Sequence, residues 1–251
     1  LSLYELQDPP IGEAEKTIAQ YAAEMVHDGD CIQLGFGGIP NAIGFELMNR
    51  HDLGIHTEQI GASMAHMIQN GVVTNRYKNL DKGWSVGAFI IADNFTYNYV
   101  NNHPRIMMRR GRYTNDPMVI AQQDNMVSIN AALQIDLTGQ VAAEAIGTVQ
   151  WSGTGGATDY AYGAYHSRGG RAMLCQISTA KKGTISRIAP ILDPGSIVSV
   201  SRNLTDMVIT EYGVAKLRQR TVKQRVENLI AVAHPDFRAE LRKEANKYMY
   251  F

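Results

Sequence analysis

A run of glycines between a strand-like segment and a helix-like one constrains this chain more than any other feature. Cys31-Ile32-Gln33-Leu34 has the length and apolarity of a short buried strand, and Gly35-Phe36-Gly37-Gly38-Ile39-Pro40 follows it directly. Asn41 to Met48 then reads as a helix, Asp52-Leu53-Gly54 as a turn and Ile55-His56-Thr57-Glu58 as a second strand. Strand, glycine turn, helix, turn, strand is the unit of an open parallel sheet, whose strands present their carboxyl ends along one edge. The glycine turn and Glu58 are therefore expected to share that edge. Glycine lets backbone N–H groups approach a ligand closely and point at it. A carboxylate at the next strand end can act on whatever those groups hold. The reading is a nucleophilic glutamate beside an oxyanion-binding loop.

Neither half of this pair is specific alone. Pro40 stands where G-x-G-x-x-G would need its last glycine, and no P-loop Lys-Ser/Thr follows. A strand–helix turn can use glycine for close packing only, and a glutamate after a strand is most often solvated or paired. A second glycine loop sharpens the reading: Ser152-Gly153-Thr154-Gly155-Gly156-Ala157. A helix is expected to start just after it, at Thr158 or Asp159, either of which can cap it, so that its N–H groups meet an anion. Glu144 is a second candidate carboxylate, ranked below Glu58 because no glycine-lined loop follows it directly. Lys181, just past an Arg171–Ile177 strand, can reach a phosphate or carboxylate, although a solvated lysine is the commoner case. His56 is read as a strand side chain facing away from Glu58 rather than as its base, since Thr57 separates them.

The remaining pattern extends the α/β alternation. Ile18, Tyr21, Ala22 and Met25 recur at helical spacing between Gly12 and Asp28, and Met64 to Ile68 suggests a short core helix ending at Gly71. Ser85–Ala92 reads as a buried strand and Asp93–Asn101 as a helix. Val127 and Ile129, then Leu133, Ile135 and Leu137, alternate as strands do, closed by Thr138-Gly139. Ile197–Val200 and Met207–Thr210 read as further strands, and Thr221–Ala233 and Pro235–Lys247 as amphipathic closing helices.

Lys+Arg and Asp+Glu balance at 24 each without runs of one sign, which argues against nucleic acid or an anionic membrane as main partner. No apolar run approaches the roughly 20 residues of a membrane span, and no signal segment opens the chain. Cys31 and Cys175 sit in apolar runs and are expected as reduced core thiols in a cytoplasmic protein. No H-x-x-x-H or C-x-x-C spacing marks a metal site, so none is expected.

Taken together, these segments resemble the C-terminal half of the acetyl-CoA hydrolase/transferase family, and within it the 4-hydroxybutyrate and butyryl-CoA:acetate CoA-transferases. The resemblance runs from about Ile11 to the end. It rests on Leu34–Pro40, Leu53–Glu58, Asn115-Asp116-Pro117, Asp124–Asn130, Asp136–Val141, Ser178–Lys181 and Thr210–Gly213, in that order. It implies a three-layer α/β/α open sheet, mostly parallel, of the CoA-transferase type. Residues 1–251 would then be the C-terminal CoA-transferase domain of a longer, two-domain protein that forms homo-oligomers, dimers in the first instance.

The resemblance also implies roles. Glu58 would be the covalent nucleophile, forming a glutamyl-CoA thioester. Gly35, Phe36, Gly37, Gly38 and Ile39, with Gly153, Gly155, Gly156 and Ala157, would bind acyl-CoA and the oxyanion, Phe36 and Gly37 among the donors. Lys181 would contact coenzyme A, a substrate here, with a short-chain carboxylate as the other partner. Glutamate is ordinarily ionised at neutral pH and needs no general base to attack. Three departures from the pattern bear on acyl preference rather than on chemistry. Gln59-Ile60-Gly61-Ala62 stands where Met-Ile-Ser-Asp is common, Phe36 replaces a smaller aliphatic residue, and Thr184 stands in place of a lysine. The competing readings are an acyl-CoA hydrolase on the same scaffold and a CoA-binding half inactive without its N-terminal partner; a sugar-phosphate isomerase of related fold is more distant.

Overall fold

Apolar residues that are neighbours in sequence are dealt to opposite sides of one sheet. The computed structural model describes residues 3–6 and 10–248. Its strands are β1 (Cys31–Leu34), β2 (Gly54–Ile55), β3 (Met126–Ala131), β4 (Arg171–Cys175), β5 (Met207–Thr210) and β6 (Gly213–Lys216). They form a 6-stranded sheet in the order β6-β5-β4-β3-β1-β2, parallel throughout except for the β5–β6 hairpin at one edge. Cys31, Met126, Ala172, Leu174 and Val208 enter one core, while Ile32, Val127, Ile129, Met173 and Ile209 enter the other. Successive strand side chains point to opposite faces, and a sheet covered on both faces needs apolar residues on each.

The helices supply the two covers. On one face lie α1 (Glu13–Glu24), α2 (Gly38–Glu46) and α3 (Ala62–Gln69), contributing Ile18, Ile43, Met64 and Met67. A short helix, α4 (Asn94–Val100), is capped by the Asp93 carboxylate. On the other face lie α5 (Ala157–His166), α6 (Val222–Val232) and α7 (Pro235–Lys247), contributing Tyr160, Leu229 and Leu241. This is the expected three-layer α/β/α arrangement. Cys31 and Cys175 are free, buried thiols, pushed up to about 11 and about 12 by burial. Among the described residues, no helix is long and apolar enough to cross a membrane.

Several elements differ from expectation, each for a local reason. Helix α2 starts at Gly38 rather than Asn41, because Gly37 takes a φ of 115° and turns the chain early. Pro40 then falls in the first turn, where no intrahelical N–H bond is lost. Strand β2 stops at Ile55, and the following residues peel off to bridge His56 to Val86 and Gln59 to Phe89. The strand expected over Ser85–Ala92 ends at Gly87 for the same reason, since the Ala88 and Phe89 N–H groups turn to the Glu58 carbonyl.

The Ile197–Val200 strand is not formed. Only Val200 makes a bridge, to Val141, and Ile197 and Val198 stay exposed. Gln134–Asp136 leaves the main sheet for a 3-stranded one with Val141–Ala142 and Ile188–Ala189. Its Asp136 is buried and accepts from Thr138 N and Oγ1 and from Gln140 N and Nε2.

Candidate active site

Glu58 sits beyond the end of β2, in a segment held by backbone bonds on both sides. Its carbonyl accepts from Ala88 N at 2.8 Å and Phe89 N at 3.1 Å. Thr57 N donates to Val86 O at 3.0 Å and Ile60 N to Phe89 O at 3.1 Å. The half-buried side chain reaches across to α5, where Gly156 N donates to Glu58 Oε2 at 3.1 Å. Glu58 and the second glycine loop, 98 residues apart in sequence, therefore meet.

That contact revises the expected cap. Helix α5 begins at Ala157 with Gly156 as N-cap and no side-chain cap; Thr158 Oγ1 donates instead to Ser199 O, and Asp159 lies inside the first turn. The Glu58 carboxylate takes the place of a cap, at the end of the helix where negative charge is favoured. Gly156 has φ −78°, so a positive φ is not what requires glycine. Space is. A β-carbon there would stand 2.6 Å from Asn115 Nδ2, 2.9 Å from Glu58 Oε2 and 3.2 Å from the Tyr160 ring. At Gly155 the nearest such atom is Glu58 Oε2 at 3.9 Å, and at Gly153 nothing lies within 4 Å.

Beneath the carboxylate lies a buried polar layer that the sequence reading missed. Thr114 O accepts from Tyr160 OH at 2.7 Å and lies 3.1 Å from His56 Nε2. Thr114 Oγ1 donates to Asn115 Oδ1 at 2.9 Å, which leaves the Asn115 amide nitrogen to face Gly156 and Asp159. Burial, then the Glu58 charge, raise the Asp159 carboxyl, while its bond from Asn115 lowers it. His56 does not turn away from the site as expected. Residues two apart in an extended segment share a face, and its ring packs against Tyr160, which borders the same Gly156. It is still no base for Glu58: burial, then the Lys78 charge, push it down to about 4.

A pH prediction follows from His56. Its folded pKa, about 4, lies below the ordinary value of 6.5, so its neutral form is favoured by folding. This contribution is complete above pH 6.5 and is lost as pH falls towards 4. The unfolding free energy measured in urea should drop over that window, by up to about 1.4 kcal/mol per pH unit. A His56→Gln variant should lose that slope. Asp30 and Asp206, whose carboxyls burial raises above the ordinary 3.8, act with the opposite sign from pH 3.8 upward and offset part of this drop.

The first glycine loop meets the other side of Glu58. Gly35 and Phe36 line one cleft of about 580 Å³ together with Glu58, Gly153, Gly155, Gly156 and Ala157. Gln33 and Asn130 form its floor, with Gln33 Nε2 donating to Asn130 Oδ1 at 2.9 Å and Ser128 Oγ to Gln33 Oε1 at 2.9 Å. A β-carbon at Gly35 would stand 2.5 Å from Asn130 Oδ1. Gly35→Ala should therefore push Asn130 out of this network and destabilise the fold by about 1–3 kcal/mol, measurable by urea unfolding. The polar residues interrupting apolar strands at Gln33, Ser128 and Asn130 were a signal available in the sequence. Asn115 offered no such signal beyond its place in a turn.

Not every expected site residue joins the cleft. Gly37 lines a smaller chamber behind the loop, and Gly38 and Ile39 form the first turn of α2, Ile39 packing against the core. Lys181 is exposed in a turn between Thr179–Ala180 and Ile185–Ser186, with φ 47°, and does not line the cleft. Glu144 does line it, 7 % exposed, its Oε1 accepting from Ser199 Oγ at 3.3 Å. Trp151, 68 % exposed, and Phe36, 57 % exposed, give the cleft an apolar rim. Among the described residues, no group of three or more His, Cys, Asp or Glu side chains could hold a metal ion.

An open parallel sheet that brings a carboxylate and two glycine loops into one cleft defines a scaffold that can hold an acyl group beside a carboxylate. The profile of the acetyl-CoA hydrolase/transferase C-terminal domain matches residues 93–245, and the chain belongs to that family. It is 46% identical over 245 residues to succinyl-CoA:cyclohexane-1-carboxylate CoA transferase of Geobacter metallireducens, covering 98% of this chain and 56% of that one. It is 45% identical to 4-hydroxybutyrate coenzyme A transferase of Clostridium kluyveri, covering 98% of this chain and 57% of the relative. Among solved structures, RipA from Yersinia pestis superposes with a TM-score of 0.96 at 42% identity, over 100% of this chain and 57% of that one. The 4-hydroxybutyrate CoA-transferase of Porphyromonas gingivalis does so with a TM-score of 0.85 at 40% identity, over 98% of this chain and 58% of that one. The chain thus spans a little over half the length of these relatives.

Proposed function

We propose that this chain is the catalytic half of a CoA-transferase that moves coenzyme A between a short-chain acyl-CoA and a carboxylate through a glutamyl-CoA thioester on Glu58. The carrying observation is the Gly156 N–H on the Glu58 carboxylate, inside a cleft that both glycine loops line. The names of the relatives at 46% and 45% identity support the reaction class.

In this reading Glu58 attacks the thioester carbonyl, the C–S bond breaks, and an acyl-glutamyl anhydride and CoA thiolate result. The thiolate then attacks the glutamyl carbonyl, releasing the first acid and leaving glutamyl-CoA. An incoming carboxylate runs both steps in reverse. The Gly156 N–H that rests on the carboxylate is within reach of the oxyanion that forms beside it, and the Phe36 N–H, on the loop that lines the cleft, would supply the opposite side. One such donor is worth about 2.7–4 kcal/mol in the transition state. The apolar rim of Phe36 and Trp151 fits an acyl-pantetheine arm and helps to exclude water, which would divert the anhydride to hydrolysis. Gly38, Ile39 and Lys181, outside the cleft, would act on more distant parts of coenzyme A. In this reading an N-terminal domain would complete the enzyme, working in the cytoplasm as a homo-oligomer.

Transfer and hydrolysis separate in one assay. With the full-length polypeptide, consumption of butyryl-CoA should depend on an added carboxylate and yield butyrate and the acceptor's CoA thioester, without free CoA. Free CoA appearing at the same rate without any acceptor acid would favour hydrolysis, the activity named for an acetyl-CoA hydrolase of Candida albicans at 22% identity.

A further inference from the structure

Strand β2 closes one edge of the sheet, with β1 on its inner side. Its outer side is held in relay. Leu53 N donates to Val72 O at 2.9 Å, and Leu53 O accepts from Thr74 N at 3.1 Å and Asn75 N at 3.0 Å. Past the end of β2, Thr57 N reaches Val86 O, and the Glu58 carbonyl hangs on Ala88 N and Phe89 N. Between these backbone pairings, at Ile55, two side chains stand where a strand would. Asn75 Oδ1 accepts from Ile55 N at 2.8 Å, and Lys78 Nζ donates to Ile55 O at 2.8 Å.

Both side chains reach further. Lys78 Nζ donates to Trp84 O at 2.7 Å, and Asn75 Nδ2 donates to Ser85 Oγ at 3.0 Å. They tie the end of β2 to the start of the Ser85–Gly87 strand, whose continuation holds the Glu58 carbonyl. Lys78 is 3 % exposed, and its ammonium rests on two neutral carbonyls. Burial lowers its pKa accordingly. A cation buried in this way costs stability, so filling space does not account for a lysine here. Its stem also needs a glycine beside it. A β-carbon at Gly54 would stand 2.6 Å from Lys78 Cγ and 3.1 Å from Cδ, although Gly54 has no positive φ.

Without the ammonium, Ile55 O and Trp84 O would be two buried acceptors with no donor between them, and they would part. The chain leaves the sheet at this point, and Glu58 lies three residues on. Any parting therefore moves the attacking carboxylate. We propose that Lys78 is a positioning residue for Glu58, its ammonium clamping the last carbonyl of β2 to Trp84 O and so fixing the line of attack. This rests on the nucleophile reading of Glu58 and deepens it.

The test compares Lys78→Met with Gly54→Ala, which keeps the amine but displaces its stem, in the full-length polypeptide. Leu229→Ala, in the core on the opposite face of the sheet, is the control for lost stability. Single-turnover formation of glutamyl-CoA is followed per folded site, with KM for the acyl-CoA measured alongside. Lys78→Met should slow that step by about 10–100-fold, as sub-ångström to ångström misplacement does, with KM within about twofold and every Glu58 still labelled at long times. Leu229→Ala should keep the wild-type rate per folded site. A wild-type rate per site in Lys78→Met overturns the proposal, and so does an equal slowing in Leu229→Ala. If Lys78→Met does not fold, Gly54→Ala decides by the same criteria. Failure of the nucleophile reading looks different: the wild type itself would carry no label on Glu58. Hydrogen exchange at the Ala88 and Phe89 N–H groups then decides. Exchange at least tenfold faster in Lys78→Met or Gly54→Ala but not in Leu229→Ala upholds the clamp, and unchanged exchange overturns it.

Discussion

Glu58→Ala is expected to lower CoA transfer by about 10⁴-fold or more, to the background rate, while leaving the protein folded. In the proposed mechanism the whole reaction runs through that carboxylate, so no other group in the cleft would substitute for part of it. Glu144 is the nearest rival by burial, but Ser199 Oγ, not a glycine-loop N–H, faces its carboxylate. The structural cost of the change is small. Glu58 is half-buried, and among the described residues its side chain accepts one hydrogen bond, from Gly156 N. Losing a cap-like bond costs about 1 kcal/mol, or about 2–4 °C in Tm for a protein of this size. Glu58→Gln keeps the shape and an acceptor for Gly156 N, and should fail equally in transfer with an even smaller change in Tm. Glu58→Asp should fail too, because retracting the attacking oxygen by a bond length takes it out of line, and about 1 Å of misplacement can cost 10²-fold. Stopped transfer with an unchanged melting curve is the expected pair of results.

Gly156→Val is expected to lower the first chemical step by about 10²–10³-fold, the range found when one oxyanion donor is lost. A β-carbon would stand 2.6 Å from Asn115 Nδ2 and 2.9 Å from Glu58 Oε2, so both groups must shift, and the carboxylate thereby leaves the Gly156 N–H. Gly153→Val is the matched comparison. It adds the same bulk to the same loop with no atom within 4 Å and no positive φ to preserve, and its effect should be at least tenfold smaller. Gly155→Val should fall between, its nearest contact being Glu58 Oε2 at 3.9 Å. Single-turnover formation of glutamyl-CoA, measured on the folded fraction, separates this gradient from a general loss of fold. Equal effects at all three positions would mean that the loop acts through its flexibility and not through one N–H.

The architecture was legible because both faces of the sheet are covered. Strands such as Cys31–Leu34 and Met126–Ala131 must then be apolar at every turn of the pleat, and continuous short apolar runs stand out. Apolarity misled where no cover exists, at Ile197 and Val198, which are exposed and make no strand. The approximate place of Glu58 was legible from the turn at Gly54, but its setting was not. Strand β2 ends early because residues from Val86 to Phe89 compete for the same backbone, a pairing that local sequence does not encode. The α5 cap shows the same limit. Thr158 and Asp159 are good local caps, yet the helix starts before them because a carboxylate from another strand end meets Gly156 N. Asn115 gains meaning only from what surrounds it in three dimensions.

The central claim is that Glu58 carries coenzyme A as a thioester, and mass spectrometry addresses it directly. The full-length polypeptide is incubated with acetyl- or butyryl-CoA without acceptor acid, with and without borohydride, then digested and mapped. The account predicts a CoA adduct on the peptide containing Glu58, its replacement after borohydride by an alcohol at that residue, and loss of activity in step with that reduction. A label on Glu144, or none on a preparation that still transfers CoA, would contradict it.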